Sequence, residues 1–165
     1  MLNIFIKTFI FIFFISSPIY SFEVKWVVDG LNEPESVVFD KKNSAIYISN
    51  INGDPLKIDK NGYISKISVD GQILDKKWIT GLDAPKGMAI FNDYLFVADV
   101  NKIWRINTSN KKKKLFSVNG AGFLNDLVVD KKGRIYASDM FKNRIYQLKN
   151  ENITIWKQSK LLDSP

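Results

Sequence analysis

The chain has no cysteine and no histidine among its 165 residues. Without cysteine there is no disulfide framework, no thiolate nucleophile and no zinc–thiolate site. Without histidine there is no Ser-His-Asp triad, no HExxH zinc motif and no imidazole base. Any chemistry therefore runs on carboxylates, amides, hydroxyls, lysines or a bound hard cation. Arginine is also scarce, with three residues against 21 lysines. Base and phosphate recognition favours the bidentate guanidinium fork, so a net charge of +7 does not by itself make a nucleic-acid binder. The run Lys111–Lys114, beside Ser109 and Asn110, reads as a solvated turn. A phosphate-binding loop is missing too, because Gly81–Gly87 (GLDAPKG) lacks the GxxxxGK[ST] spacing.

The first residues stand apart from the rest. Met1–Lys7 is short with one basic residue, Phe9–Ile15 is an unbroken apolar run, and Ser16–Ser21 is small, polar and proline-containing. That order predicts a secretory signal over 1–21, cleaved after Ser21. Its apolar core falls well short of the ~20 residues that span a bilayer, so no stable membrane insertion is expected after cleavage. The mature chain, Phe22–Pro165, has 144 residues and a net charge of about +6, since Lys7 leaves and no acid does. A periplasmic or secreted location follows, and the lack of disulfides favours the periplasm.

No sustained 3.6-residue apolar rhythm runs through the mature chain. What recurs is short β-rich runs punctuated by Gly, Asn and Asp. Three segments align: PESVVFDKKNSAIYISN from Pro34, PKGMAIFNDYLFVAD from Pro85 and LNDLVVDKKGRIYASD from Leu124. Each holds a polar start, an apolar strand, a turn, a second apolar strand and a closing Asn or Asp. Third strands follow at Gly62–Ser68, Lys102–Asn107 and Asn143–Leu148, and fourth strands at Ile73–Ile79, Lys113–Val118 and Ile153–Lys157. Four antiparallel strands returning in one order predict β-propeller blades, at about 32–81, 82–120 and 121–161. The fold class is all-β.

Two echoes extend the pattern. Lys25–Leu31 (KWVVDGL) repeats Lys77–Leu82 (KWITGL), so 23–31 reads as a closing strand for a last blade. Leu162–Pro165 repeats the phrase that opens a blade, so 162–165 reads as the start of a fourth. Rings close with about 4–8 blades, and an open stack leaves unpaired edges. The expectation is an incomplete ring, the N-terminal part of a longer protein, rather than two halves assembling into one ring.

The alignment also pairs positions. Glu35, Lys86 and Asn125 share the second place of each opening phrase, followed by Ser36, Gly87 and Asp126. First strands line a propeller's channel, so these converge at one mouth, a default place for a site. Asn50, Asp99 and Asp139 end the second strands and return to the same face. The favoured reading for those three is capping of turn amides. Val38, Phe39, Ile46, Tyr47, Ala89, Phe96, Val128 and Tyr136 are expected in the blade core, and Trp26, Trp78 and Trp156 in packing between blades. Glu35 would be costly in a buried strand start unless paired with Lys86 or coordinated.

The phrases PESVVFD, NINGDP, APKGM and LNDLVVD resemble those of the senescence-marker-protein/gluconolactonase/luciferin-regenerating-enzyme family of six-bladed β-propellers. The resemblance covers essentially all of Phe22–Pro165. It implies a metal-dependent lactone hydrolase, with one divalent cation at the channel mouth and a lactone or ester substrate. Glu35 matches the family's first metal-ligand glutamate, and Asn125 with Asp126 matches its substrate-contacting pair. Lys86 joins them as a substrate-binding candidate from its place in the repeat. The second ligand would follow Pro165, and the third, which doubles as catalytic base, would lie further on. This chain alone is then expected to be inactive. Phe123 stands where sugar-lactonase members place an Arg, which favours a more apolar lactone or ester. Oxygen donors alone point to a hard cation, Ca²⁺ first, with Mg²⁺, Zn²⁺ and Mn²⁺ as alternatives. The rival reading is a non-catalytic binding propeller in which Glu35 pairs with Lys86; a nucleic-acid partner is not expected.

Overall fold

A computed structural model describes residues 23–165, so the predicted signal at 1–21 lies outside the described residues. Blade 1 contains β1 (Pro34–Asp40), β2 (Ala45–Asn50), β3 (Gly62–Ser68) and β4 (Ile73–Leu82). Blade 2 contains β5 (Pro85–Phe91), β6 (Tyr94–Asp99), β7 (Lys102–Asn107) and β8 (Lys113–Ser117). Blade 3 contains β9 (Leu124–Val129), β10 (Ile135–Asp139), β11 (Arg144–Lys149) and β12 (Asn152–Gln158). Each is one antiparallel sheet with its strands in chain order. The innermost strands β1, β5 and β9 stand side by side. This is a partial β-propeller, three blades of an unclosed ring.

Period-two alternation explains the packing. In β6, Leu95 and Val97 face blade 1 while Phe96 and Ala98 face blade 3. That middle strand is continuously apolar because both its faces are covered. Trp78 packs against Tyr47 with ring centroids 4.4 Å apart and the planes tilted by 34°, on the face of blade 1 that meets blade 2. Leu124, Leu127, Ile135 and Tyr146 meet Phe116 and Ile103 between blades 2 and 3. Each such buried side chain contributes about 1.5–3 kcal/mol.

The outer blades depart from expectation for the same reason. Val38 packs toward blade 2, but its neighbour Phe39 points the other way and is 54% exposed. Val128 is 60% exposed on the free face of blade 3. Neither is core, because no sheet covers those two flanks. Of Trp26, Trp78 and Trp156, only Trp78 is buried between blades; Trp156 meets Tyr136 edge-on at 5.1 Å and stays exposed, as does Trp26. Residues 23–31, expected as a closing strand, carry no strand. A ladder needs an adjacent edge, and what holds the segment is Trp26, whose Nε1 donates to Val69 O at 3.1 Å.

The lysine run is solvent-exposed as expected, with Lys111 and Lys112 in the turn, while Lys113 and Lys114 open strand β8. Along β8 and its entry, Lys111 pairs with Asp75 and Lys113 Nζ donates to Thr80 O at 2.7 Å, both in blade 1. Lys114 points the other way and pairs with Glu151 of blade 3 at 2.7 Å. Successive side chains on a strand alternate, so consecutive lysines serve opposite neighbours.

Candidate functional site

All three first strands carry the same irregularity. Pro34 pairs with Asn50 and Val37 with Ile48, so Glu35 and Ser36 together oppose Ser49 alone. Lys86 and Gly87 likewise oppose Ala98, and Asn125 and Asp126 oppose Ser138. These are two-to-one β-bulges, which re-aim side chains and leave backbone groups unpaired. Ser49 and Ser138 take up the freed amides: Ser36 N donates to Ser49 Oγ at 3.0 Å and Asp126 N to Ser138 Oγ at 3.2 Å. Every candidate site residue named from the sequence therefore sits on a bulge at the start of an inner strand. The bulges crowd: a Cβ on Gly87 would collide with Asp126 Oδ1 and lie 2.6 Å from Asp126 Cα.

The second-strand termini hold this arrangement. Asp99 accepts from Asp83 N at 3.0 Å, Ala84 N at 2.7 Å and Trp104 Nε1 at 2.8 Å. Asp139 accepts from Gly122 N at 2.8 Å, Phe123 N at 3.0 Å, and Phe141 N and Lys142 N at 3.2 Å. Asn50 accepts from Asn32 N at 3.2 Å and donates to Ser65 Oγ at 3.0 Å. All three are fully buried. They cap the segment that enters each first strand, as Asx side chains do, and do not line the mouth.

The four candidates differ in how free they are. Glu35 is exposed, not buried, and its side chain makes no hydrogen bond or ion pair among the described residues. Partial desolvation raises its carboxyl pKa; the Lys86 charge opposes this and the Asp126 charge adds to it. The three groups thus share one electrostatic environment. Asn125 is half-buried with an unengaged side chain, and Asp126 is exposed with Oδ1 accepting Leu127 N at 2.8 Å.

Lys86 is otherwise placed. It is 1% exposed, and its Nζ donates to Pro55 O and Ala84 O, each at 2.9 Å. The ammonium also lies 4.3 Å from the centroid of the Phe123 ring, which stacks on Phe141. Burial lowers its pKa, against the opposing pull of Asp99 and Glu35. Two carbonyls and a ring occupy the three hydrogens of the ammonium, so it acts here as a fixed charge and as an anchor for the β2–β3 loop. Asp83, which sequence reasoning missed, does related work: it is buried, accepts Lys60 N at 3.1 Å and pairs with Lys102. The only signal for it was its place beside Ala84 in the opening phrase. Among the described residues no cluster of three or more acidic side chains forms a cation cage.

No protein-family model matches the chain, and no curated protein matches it by sequence. Solved structures do resemble it. A gluconolactonase from Xanthomonas campestris is 15% identical with a TM-score of 0.60, over 79% of this chain and 48% of that one. Virginiamycin B lyase from Staphylococcus aureus is 20% identical at 0.60, over 78% and 42%. A chain of the nidogen/laminin complex is 19% identical at 0.62, over 82% and 51%. These likenesses establish the fold, and the chain spans about half the length of the structures it matches.

Proposed function

We propose that this chain supplies part of the site of an exported, metal-dependent lactone or ester hydrolase. The observation that supports the reading best is Glu35, a carboxylate on an inner-strand bulge, unpaired, beside the charges of Lys86 and Asp126. In the rival binding-propeller reading Glu35 pairs with Lys86, and the lack of an ion pair between them among the described residues favours the metal reading. The oxygen donors fit a hard divalent cation such as Ca²⁺, with Glu35 as the ligand from this chain. Such a cation, when bound, polarises a lactone carbonyl. Asn125 and Asp126 on the neighbouring bulge orient the substrate, and Lys86 offsets negative charge at the mouth. Phe123 and Phe141 give that mouth an apolar wall, which suits a lactone or ester poorer in hydroxyls than a sugar lactone.

A hard cation takes about 6–8 oxygen ligands, so one carboxylate binds it weakly. Calcium titration of this chain is expected to move the thermal midpoint only at millimolar concentrations, with Glu35→Gln removing the response. Stabilisation at micromolar calcium, or an unchanged response in the variant, would overturn the assignment. In a protein that also carries the remaining ligands, Glu35→Gln is expected to abolish lactone opening. The pH dependence follows from the raised pKa. Protons compete with the cation as pH falls through it, so affinity drops at a higher pH than the ordinary glutamate value of 4.5 allows.

A further inference from the structure

The antiparallel order sends the β1–β2 and β3–β4 turns of blade 1, and their equivalents in blades 2 and 3, to the face opposite the candidate site. Those turns carry Lys41 and Lys42 in blade 1, Lys111 and Lys112 in blade 2, and Lys131 and Lys132 in blade 3, with Lys149 at the end of β11 beside its turn. Contacts between blades hold them in one surface. Lys42 pairs with Asp93, Asn43 Nδ2 donates to Thr108 Oγ1 at 3.3 Å, and a Cβ on Gly133 would lie 2.6 Å from the Phe91 ring. Lys41, Lys112, Lys131, Lys132 and Lys149 are exposed and have no carboxylate within 4.0 Å among the described residues.

The acids on this face are mostly neutralised already. Asp93 pairs with Lys42, Asp130 with Arg134, and Glu151 with both Arg105 and Lys114, leaving exposed Asp70 and buried Asp40, which accepts from Asn43, without a basic partner. Exposed Val69, Leu74 and Tyr94 lie among the same turns. The opposite face is mixed: Glu33, Glu35, Asp54, Asp59 and Asp126 lie around the mouth together with exposed Lys57, Lys60 and Lys142. The unpaired positive charge is therefore concentrated on the turn face, while the mouth face carries both signs.

We propose that this basic face docks on an anionic phospholipid bilayer and holds the channel mouth away from it. Lysine ammoniums gain from the negative surface potential within a Debye length without fixed geometry. The interspersed apolar side chains enter the headgroup boundary. A nucleic acid is the poorer occupant, because the arginines of this face, Arg105 and Arg134, are committed to Glu151 and Asp130.

The test is co-sedimentation of the whole chain with phosphatidylcholine vesicles, with and without phosphatidylglycerol. Binding is expected only with the anionic lipid, weakening about tenfold or more between roughly 50 and 300 mM salt. Replacing Lys41, Lys112, Lys131 and Lys132 by Glu should remove it, with circular dichroism and thermal midpoint unchanged. Lys57→Glu with Lys60→Glu, on the mouth side, should bind like the parent chain. Should the fourfold variant misfold, the salt series and the mouth-side control still decide. Equal binding to neutral vesicles, loss of binding in the mouth-side control, or an unaffected fourfold variant overturns the proposal. So does tighter binding to duplex DNA than to vesicles at the same salt.

Discussion

Removing the Asp139 carboxylate tests the idea that second-strand acids position the mouth. This fully buried side chain accepts four amides, from Gly122, Phe123, Phe141 and Lys142. Each bond to a charged acceptor is worth about 1.5–3 kcal/mol, and a buried donor left unsatisfied costs about 1–3 kcal/mol. The four do not simply add. Lys142 N also reaches Asp139 O at 3.3 Å, and that backbone contact survives substitution. The two strongest bonds, to Gly122 and Phe123, therefore dominate, and Asp139→Ala should lose about 3–5 kcal/mol. Asp139→Asn keeps the Oδ1 acceptor shared by Phe123, Phe141 and Lys142, but turns an amino group toward Gly122 N. Its loss should be about half as large. Since whole domains hold only about 5–15 kcal/mol, urea unfolding followed by tryptophan fluorescence resolves both. Amide exchange at Gly122 and Phe123 should quicken in each variant, just upstream of Asn125 and Asp126. An alanine variant within 1 kcal/mol of the parent, or an asparagine variant as damaging as alanine, would refute the reasoning.

Three further outcomes follow. Gly87→Ala places a methyl 2.8 Å from Leu127 N as well as against Asp126, so blades 2 and 3 must separate; a loss of about 3 kcal/mol is expected in urea unfolding. Tyr47→Phe removes a buried hydroxyl that has no hydrogen-bond partner and a pKa pushed up to about 12; the variant should be about 1 kcal/mol more stable, and a less stable one would mean the hydroxyl is satisfied. Lys86→Met deletes two carbonyl bonds and a cation–π contact but also relieves a buried charge; a net loss of about 1–3 kcal/mol and faster proteolysis of residues 51–61 are expected. Because burial lowers the Lys86 pKa, the unfolded chain holds that proton longer. The parent should therefore gain stability over the methionine variant as pH rises through the folded value.

Strand positions were legible because each blade repeats one phrase, and local alternation with Gly, Asn and Asp turns specifies strand and hairpin without distant help. Repeat equivalence also put Glu35, Lys86, Asn125 and Asp126 on matching bulges of adjacent inner strands, and read Asn50, Asp99 and Asp139 as caps. What alignment could not reveal was solvent access. Phe39 and Val128 occupy positions equivalent to covered residues in the middle blade, yet stand exposed because burial depends on whether another sheet lies alongside. Nor could it tell that the ammonium of Lys86 would turn inward to Pro55 O, thirty-one residues back in the chain.

The order of residues determined by itself the strands, their hairpin pairing and which positions are equivalent, since those depend on neighbours within a few residues. Only the tertiary structure decided which equivalent side chains are free. The two-to-one bulges arise within each sheet, and the packing of Gly87 on Asp126 and the capture of Lys86 arise between sheets, where distant segments compete for the same donors and space.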